Sequence, residues 1–223
     1  ALVEEGKIRY AVAGEINPGP LRAAKKQVRE AGLSDNIDVR RGDGLAVLSP
    51  GEADVIVMAG MGGSLIAEIL NAGFQKLSGV KRLILQPNIG GELVRRWLVD
   101  HQWALTEEDI VEEDGKIYEI LVADLIEEAT VYNRRLYKDR PLCGSVTAKR
   151  EILLLMGPHF IERPTEIWFR KWKGELAKMS MIIDQISLSG SEAAAKKRAA
   201  IENQAKMIRE VLECLQKDKP SFN

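Results

Sequence analysis

Cysteine and histidine are nearly absent from this sequence, with two of each among 223 residues. Cys143 and Cys214 lack the close spacing of a zinc site, and His101 and His159 stand beside no Cys or carboxylate motif. No metal centre is therefore expected. The two thiols are expected to be buried or half-buried and free, in a reducing cytoplasm, and the two histidines to be structural or surface residues. Long apolar runs are also lacking. The longest are Val55 to Gly63, Leu83 to Leu85 and Ile152 to Met156. None approaches the ~18 residues needed to cross a bilayer, so no membrane partner is expected. No secretory leader is visible, and the first residue is Ala1 rather than an initiator Met.

Neither sign of charge dominates, since the net charge is -1. The balance is uneven along the chain, however. Residues 1–130 carry 14 basic against 22 acidic side chains, whereas residues 131–217 carry 17 against 10. The basic half is a candidate for contact with a polyanion, and the alternative is two ordinary solvated surfaces. Apolar residues make up 45% of the chain, enough for a sizeable core, and the length fits one domain plus an appendage or two small domains.

The front half alternates strand and helix. Strands are expected at Ile8 to Ala13, Ile37 to Arg40, Asp54 to Ala59 and Leu83 to Gln86. Helices are expected from Pro18-Gly19-Pro20 to about Ala31, over Ser64 to Asn71 and over Glu92 to Asp100. Proline suits the first turn of a helix and Gly32 its end. Such alternation implies a parallel sheet covered by helices. Then Trp103 to Val111 and Lys116 to Ala123, joined by Asp114-Gly115, read as an antiparallel hairpin.

The back of the chain has a different period. Phe169, Trp172, Leu176, Met179, Ile183 and Ile186 alternate at spacings of 3 and 4, as do Ile201, Ala205, Ile208, Leu212 and Leu215. These are two heptad-like seams, expected to pair as a helical hairpin turning at Ser187 to Ser191. The expected division is a sheet domain over 1–125, a linker over 126–146 and a coiled-coil hairpin over 147–217.

Ligand-suited groups recur at the expected strand ends. Glu15 can accept from ribose hydroxyls, although a strand-end Glu is often plain surface. Gly42-Asp43-Gly44 places a carboxylate between glycines, where it could accept from an adenine amino group; the same triplet also makes a tight turn. Ala59-Gly60-Met61-Gly62-Gly63 ends a strand and opens a helix whose first N–H groups are free. It fails as a dinucleotide fingerprint, because its third glycine is misplaced and no acidic residue ends the next strand. That strand ends in Gln86-Pro87-Asn88, whose amides could meet the edge of a base or could serve a turn. The placement of all four at carboxyl ends of strands, where open α/β sheets bind ligands, carries more than any one of them.

Together with Lys116-Ile117-Tyr118-Glu119-Ile120, these segments resemble the TrmK family of bacterial tRNA (adenine-22-N1)-methyltransferases, over about residues 8–123. The helical hairpin is similar to that family's appendage in architecture. The resemblance implies a class I, Rossmann-like α/β fold, S-adenosyl-L-methionine (SAM) as methyl donor and tRNA as acceptor. It implies that Glu15, Ile16, Gly42, Asp43, Gly44, Ala59, Gly60 and Met61 bind the cofactor, and that Gln86 and Asn88 are the catalytic pair at the acceptor base. The family begins with a strand and a glycine-containing loop, and Ala1 to Glu5 matches the helix after them, so the first strand of the sheet is expected to be missing from this chain. A class I methyltransferase with another acceptor, or a non-catalytic RNA-binding scaffold on a decayed sheet, remain the alternatives.

Overall fold

The structure, a computed structural model, describes residues 2–188 and 191–217. Strand β1 (Ala11–Glu15) leads into helix α1 (Pro18–Glu30), β2 (Ile37–Arg41) and a 3-10 turn at Gly44–Val47. Then follow β3 (Val55–Gly62), α2 (Gly63–Ala72), a second 3-10 turn at Phe74–Leu77, β4 (Arg82–Ile89) and α3 (Gly91–Asp100). The hairpin is β5 (Ala104–Glu113) and β6 (Lys116–Asp124). Its turn has Asp114 at φ 49° and Gly115 at φ 72°, both left-handed, as the twist of a two-residue hairpin turn demands.

Strand β3 pairs in parallel with β4, and β4 pairs antiparallel with β6, which pairs antiparallel with β5. This is the expected parallel sheet ending in an antiparallel hairpin. Strands β1 and β2 pair in parallel but form a sheet of their own, not hydrogen-bonded to β3. Val55 and Val57 on β3 are 48% and 65% exposed, unusual for β-branched residues of a parallel strand.

Residues 126–146, expected as a linker, instead hold helix α4 (Ala129–Leu136) and strand β7 (Arg140–Cys143). The reason lies in their contacts. Asn133 Nδ2 donates to the carbonyl of Trp103 at 2.8 Å, and Tyr137 is buried. Strand β7 pairs with β8 (Val146–Ala148), and the short helices α5 (Arg150–Met156) and α6 (Pro158–Glu162) follow.

The long helices are α7 (Glu166–Ser187) and α8 (Glu192–Lys217). Helix α7 starts where Thr165 Oγ1 accepts from the Trp168 amide at 3.2 Å, a side-chain N-cap. The two seams read from the sequence lie buried or half-buried along both helices. Part of the turn expected between them, residues 189–190, lies outside the described residues. The helical pair is not a detached arm. Trp168, Phe169 and Trp172 of α7 and Ile208 and Leu212 of α8 belong to the same core cluster as Leu83, Leu85 and Leu121 of the sheet.

The cysteine expectation is corrected. Cys143 on β7 and Cys214 on α8 form a disulfide with Cα atoms 5.6 Å apart, because α8 packs over the small hairpin. Both histidines are structural. His159 Nε2 lies 2.8 Å from the Leu105 carbonyl, and His101 stacks on Trp97 at 4.1 Å.

Candidate active site at the carboxyl ends of β1 to β4

Strands β3 and β4 stay in register from Val55↔Arg82 to Ala59↔Gln86, after which the ladder shifts around Met61. Gly60 sits at this irregularity with φ 78°, a conformation costly for any residue with a Cβ. Its N–H is thereby released from the ladder and donates to Gln86 Oε1 at 2.8 Å. Gln86 Nε2 in turn donates to Asn88 Oδ1 at 3.0 Å. A Cβ built at Gly60 would meet open space, so the loop presents bare backbone outward. Gln86 is half-buried and Asn88 exposed, with Pro87 buried between them. This chain of bonds holds both predicted amides beside the predicted loop, with Ala59 exposed and Met61 half-buried on the same segment.

Gly63 has a different role. A Cβ there would lie 2.0 Å from the Gly90 carbonyl oxygen, so glycine lets the start of α2 press against the turn before α3. Ile89, the last residue of β4, is 76% exposed.

On the other sheet, Glu15 is half-buried at the end of β1, and its Oε1 accepts from the Asn17 amide at 2.6 Å. Ile16 beside it is exposed. The Glu15 carbonyl accepts from the Gly42 amide at 3.2 Å, which brings the Glu15 and Asp43 segments together. Asp43 precedes the 3-10 turn and caps nothing with its exposed side chain. The two glycines flanking it are set by packing. An added Cβ would lie 2.6 Å from Val47 Cγ1 at Gly42 and 2.5 Å from Ile69 Cγ2 at Gly44, and Gly44 has φ 50°. Their freedom thus serves the protein's own turn, whereas that of Gly60 opens toward solvent. Among the described residues no group of three or more His, Cys, Asp or Glu is placed to hold a metal, and no helix is long and apolar enough to cross a membrane.

Behind Pro87 lies a buried ionic cluster that the sequence reading passed over. Arg95 of α3 has no exposed side-chain surface, and its Nε donates to Glu108 Oε1 at 2.6 Å. Its Nη2 lies 3.3 Å from Glu119 Oε2, and its Nη1 reaches the carbonyls of Leu154 and Leu155. Lys171 of α7 pairs with the other oxygen of Glu119. Burial alone would raise the Glu119 carboxyl, but Arg95 and Lys171 reverse this and hold it below the usual carboxylate range. Gly91 makes room, since a Cβ there would lie 2.7 Å from Glu119 Oε2 and 3.7 Å from Pro87 Cγ. A signal was present in the sequence: Glu119 stands in step with the inward residues Leu121 and Ala123 of β6, where a carboxylate requires a buried cation.

In the basic half of the chain, a candidate for contact with a polyanion, several cations already face a carboxylate. Arg170 pairs with Glu112, Lys171 with Glu119, Lys178 with Glu175 and Lys196 with Glu192, and Lys206 makes only a loose pair with Glu210 at 3.9 Å. Arg140 donates to the Leu136 carbonyl at 2.5 Å. Among the described residues, Lys173, Lys197, Arg209, Arg134, Arg135 and Lys138 make no ion pair.

The family model for TrmK, tRNA (adenine(22)-N(1))-methyltransferase, matches residues 1–210. The chain is 41% identical over 208 residues to the tRNA (adenine(22)-N(1))-methyltransferase of Bacillus subtilis (strain 168), covering 93% of this chain and 82% of that protein. Among solved structures, the Bacillus subtilis M1A22 tRNA methyltransferase TrmK aligns with a TM-score of 0.81 at 40% identity, over 95% of this chain and 85% of that one. A Streptococcus pneumoniae protein solved in complex with S-adenosyl-L-methionine aligns with a TM-score of 0.74 at 34% identity, over 95% and 85% of the two chains.

Proposed function

The chain belongs to the TrmK family of tRNA (adenine(22)-N(1))-methyltransferases, and on that premise we propose that it transfers a methyl group from SAM to N1 of adenine 22 in tRNA, acting in the cytoplasm. The observation that carries the reading is the hydrogen-bonded run from Gly60 through Gln86 to Asn88, which gathers the family's segments at the carboxyl ends of β3 and β4.

The residues present fit the donor. Glu15 keeps one carboxylate oxygen beyond its bond to Asn17, suited to ribose hydroxyls, and the exposed Ile16 beside it offers apolar surface to the cofactor. The exposed Asp43 carboxylate, held in the Gly42–Gly44 turn, suits an adenine amino group. Ala59, Gly60 and Met61 would bind the cofactor, Gly60 and Met61 lining the channel to its methyl group. When bound, SAM supplies a methyl group activated on a sulfonium. Adenine N1 carries its own lone pair, so it would accept that methyl group without a protein nucleophile. The chain has to align the acceptor and exclude water. Asn88 and Gln86 do so by hydrogen-bonding the edge of a base extruded from its stack.

The test is methylation of bulk tRNA by the full-length protein with labelled SAM, followed by nucleoside analysis. Label is expected in 1-methyladenosine. Label in another nucleoside, or none in tRNA, overturns the reading.

A further inference from the structure

Helix α1 carries Arg22, Lys25, Lys26 and Arg29, all exposed, within the acidic front half of the chain. Together with β2 they border a groove of about 590 Å³ whose floor includes Val28 and Val39. Among the described residues Arg22, Lys25 and Arg29 form no ion pair, and Lys26 only a loose one with Glu30 at 3.7 Å. Asp38, the acidic residue in the lining, is already bonded to Arg40 at 2.7 Å. The groove thus has uncompensated positive charge above an apolar floor.

We propose that this groove between α1 and β2 binds the sugar–phosphate backbone of the tRNA. The proposal rests on the reading that tRNA is the acceptor, and it assigns part of the contact to a surface of the sheet domain. Arg22, Lys25 or Lys26, and Arg29 follow one another at helical spacing along one side of α1. Seven residues of helix span about 10 Å, a length over which a nucleic-acid strand at ~3.4 Å rise carries about three phosphates. The guanidinium groups of Arg22 and Arg29 offer forked donors to phosphate oxygens, and Val28 and Val39 offer apolar surface to the sugars. Helix α1 begins three residues after Glu15, so a strand held along it runs toward the proposed cofactor end of the sheet.

The experiment is a tRNA-binding titration of the full-length protein over a salt series, comparing two charge-matched triple variants. One is Arg22→Ala, Lys25→Ala, Arg29→Ala. The other is Lys173→Ala, Lys197→Ala, Arg209→Ala on the helical pair. The first is expected to bind tRNA about tenfold or more weaker at moderate salt, with the slope of log K against log salt shallower by about 2. The second is expected to change by less than half as much. Parent affinity and slope in the first variant overturn the proposal, as do equal losses in both, the mark of a general charge effect. A first variant that loses polyglutamate binding while keeping tRNA binding also overturns it, in favour of an acidic polypeptide. SAM titration checks the fold. If the triple variant loses SAM affinity, Lys25→Ala alone is read, with an expected slope change of about 1. A parent that neither binds nor methylates tRNA defeats the functional reading itself, whereas a methylating parent beside an unaffected α1 variant defeats only the groove.

Discussion

The Gly60 amide and the Gln86 side chain meet at 2.8 Å across the irregular end of the β3–β4 ladder, and this bond joins the glycine loop to the amide pair. Gln86→Glu keeps an acceptor for Gly60 but removes the donor to Asn88. Methylation by this variant is expected to slow by roughly 10- to 100-fold, the equivalent of one or two hydrogen bonds at ~1–1.5 kcal/mol each. SAM affinity should hold. Single-turnover rates and SAM titration measure the two separately, and an unaltered rate would remove Gln86 from the site.

Glu15→Ala should weaken SAM binding by about 1.5–3 kcal/mol, the range for hydrogen bonds to a charged group. The thermal midpoint without SAM should move little, because the side chain is half-buried and bonded only to the nearby Asn17 amide. Calorimetric titration beside a melting curve checks this. Equal SAM affinity in variant and parent would place the ribose elsewhere.

Glu119 predicts a pH dependence. Arg95 and Lys171 depress its folded-state pKa. It therefore contributes stability that is fully present above the unfolded glutamate value of ~4.3 and is lost as pH falls through the lower folded value. Glu119→Gln should flatten the acid limb of the stability curve. At neutral pH it should cost about 3–5 kcal/mol, because a buried pair loses one partner. Denaturant melts from neutral to acid pH provide the measurement, and parallel acid limbs in the two proteins would contradict it.

The Cys143–Cys214 bond spans 71 residues of chain. Chain-entropy reasoning assigns a loop of that length about 4 kcal/mol. Oxidised parent protein should accordingly be more stable than Cys214→Ser by an amount of that order. With a reductant present the two should melt nearly alike, and this is the state expected in a reducing compartment. A parent whose melting ignores the reductant would show that the bond does not contribute.

The helical pair bears on how RNA contact can be tested. Removing everything after residue 146 would strip Trp168 and Phe169 of α7, together with α8, from a core they share with Leu83 and Leu121. Surface substitutions such as Lys173→Ala and Lys197→Ala are the sounder probe. They should lower tRNA affinity only slightly in a binding titration, because most neighbouring cations are already paired.

The order of strands and helices, the Asp114-Gly115 turn, the two heptad seams and the strand-end groups from Glu15 to Asn88 were legible in the sequence. Each is a local matter of period, turn chemistry or strand end. The linker reading at 126–146 failed because short polar-rich helices and strands carry weak periodicity, and what orders them is contact with β5 and the residue just before it, as in the bond from Asn133 to Trp103. The free-thiol reading failed for a similar reason, since Cys143 and Cys214 are joined only when α8 returns over β7. The sequence by itself determined which chemical groups stand at the ends of which strands. Only the tertiary structure decided which charges remain available. It buries Arg95 and Glu119, neutralises Arg170 and Lys171, and leaves Arg22, Lys25 and Arg29 beside an open groove, because ion pairing depends on distances between segments far apart in the chain.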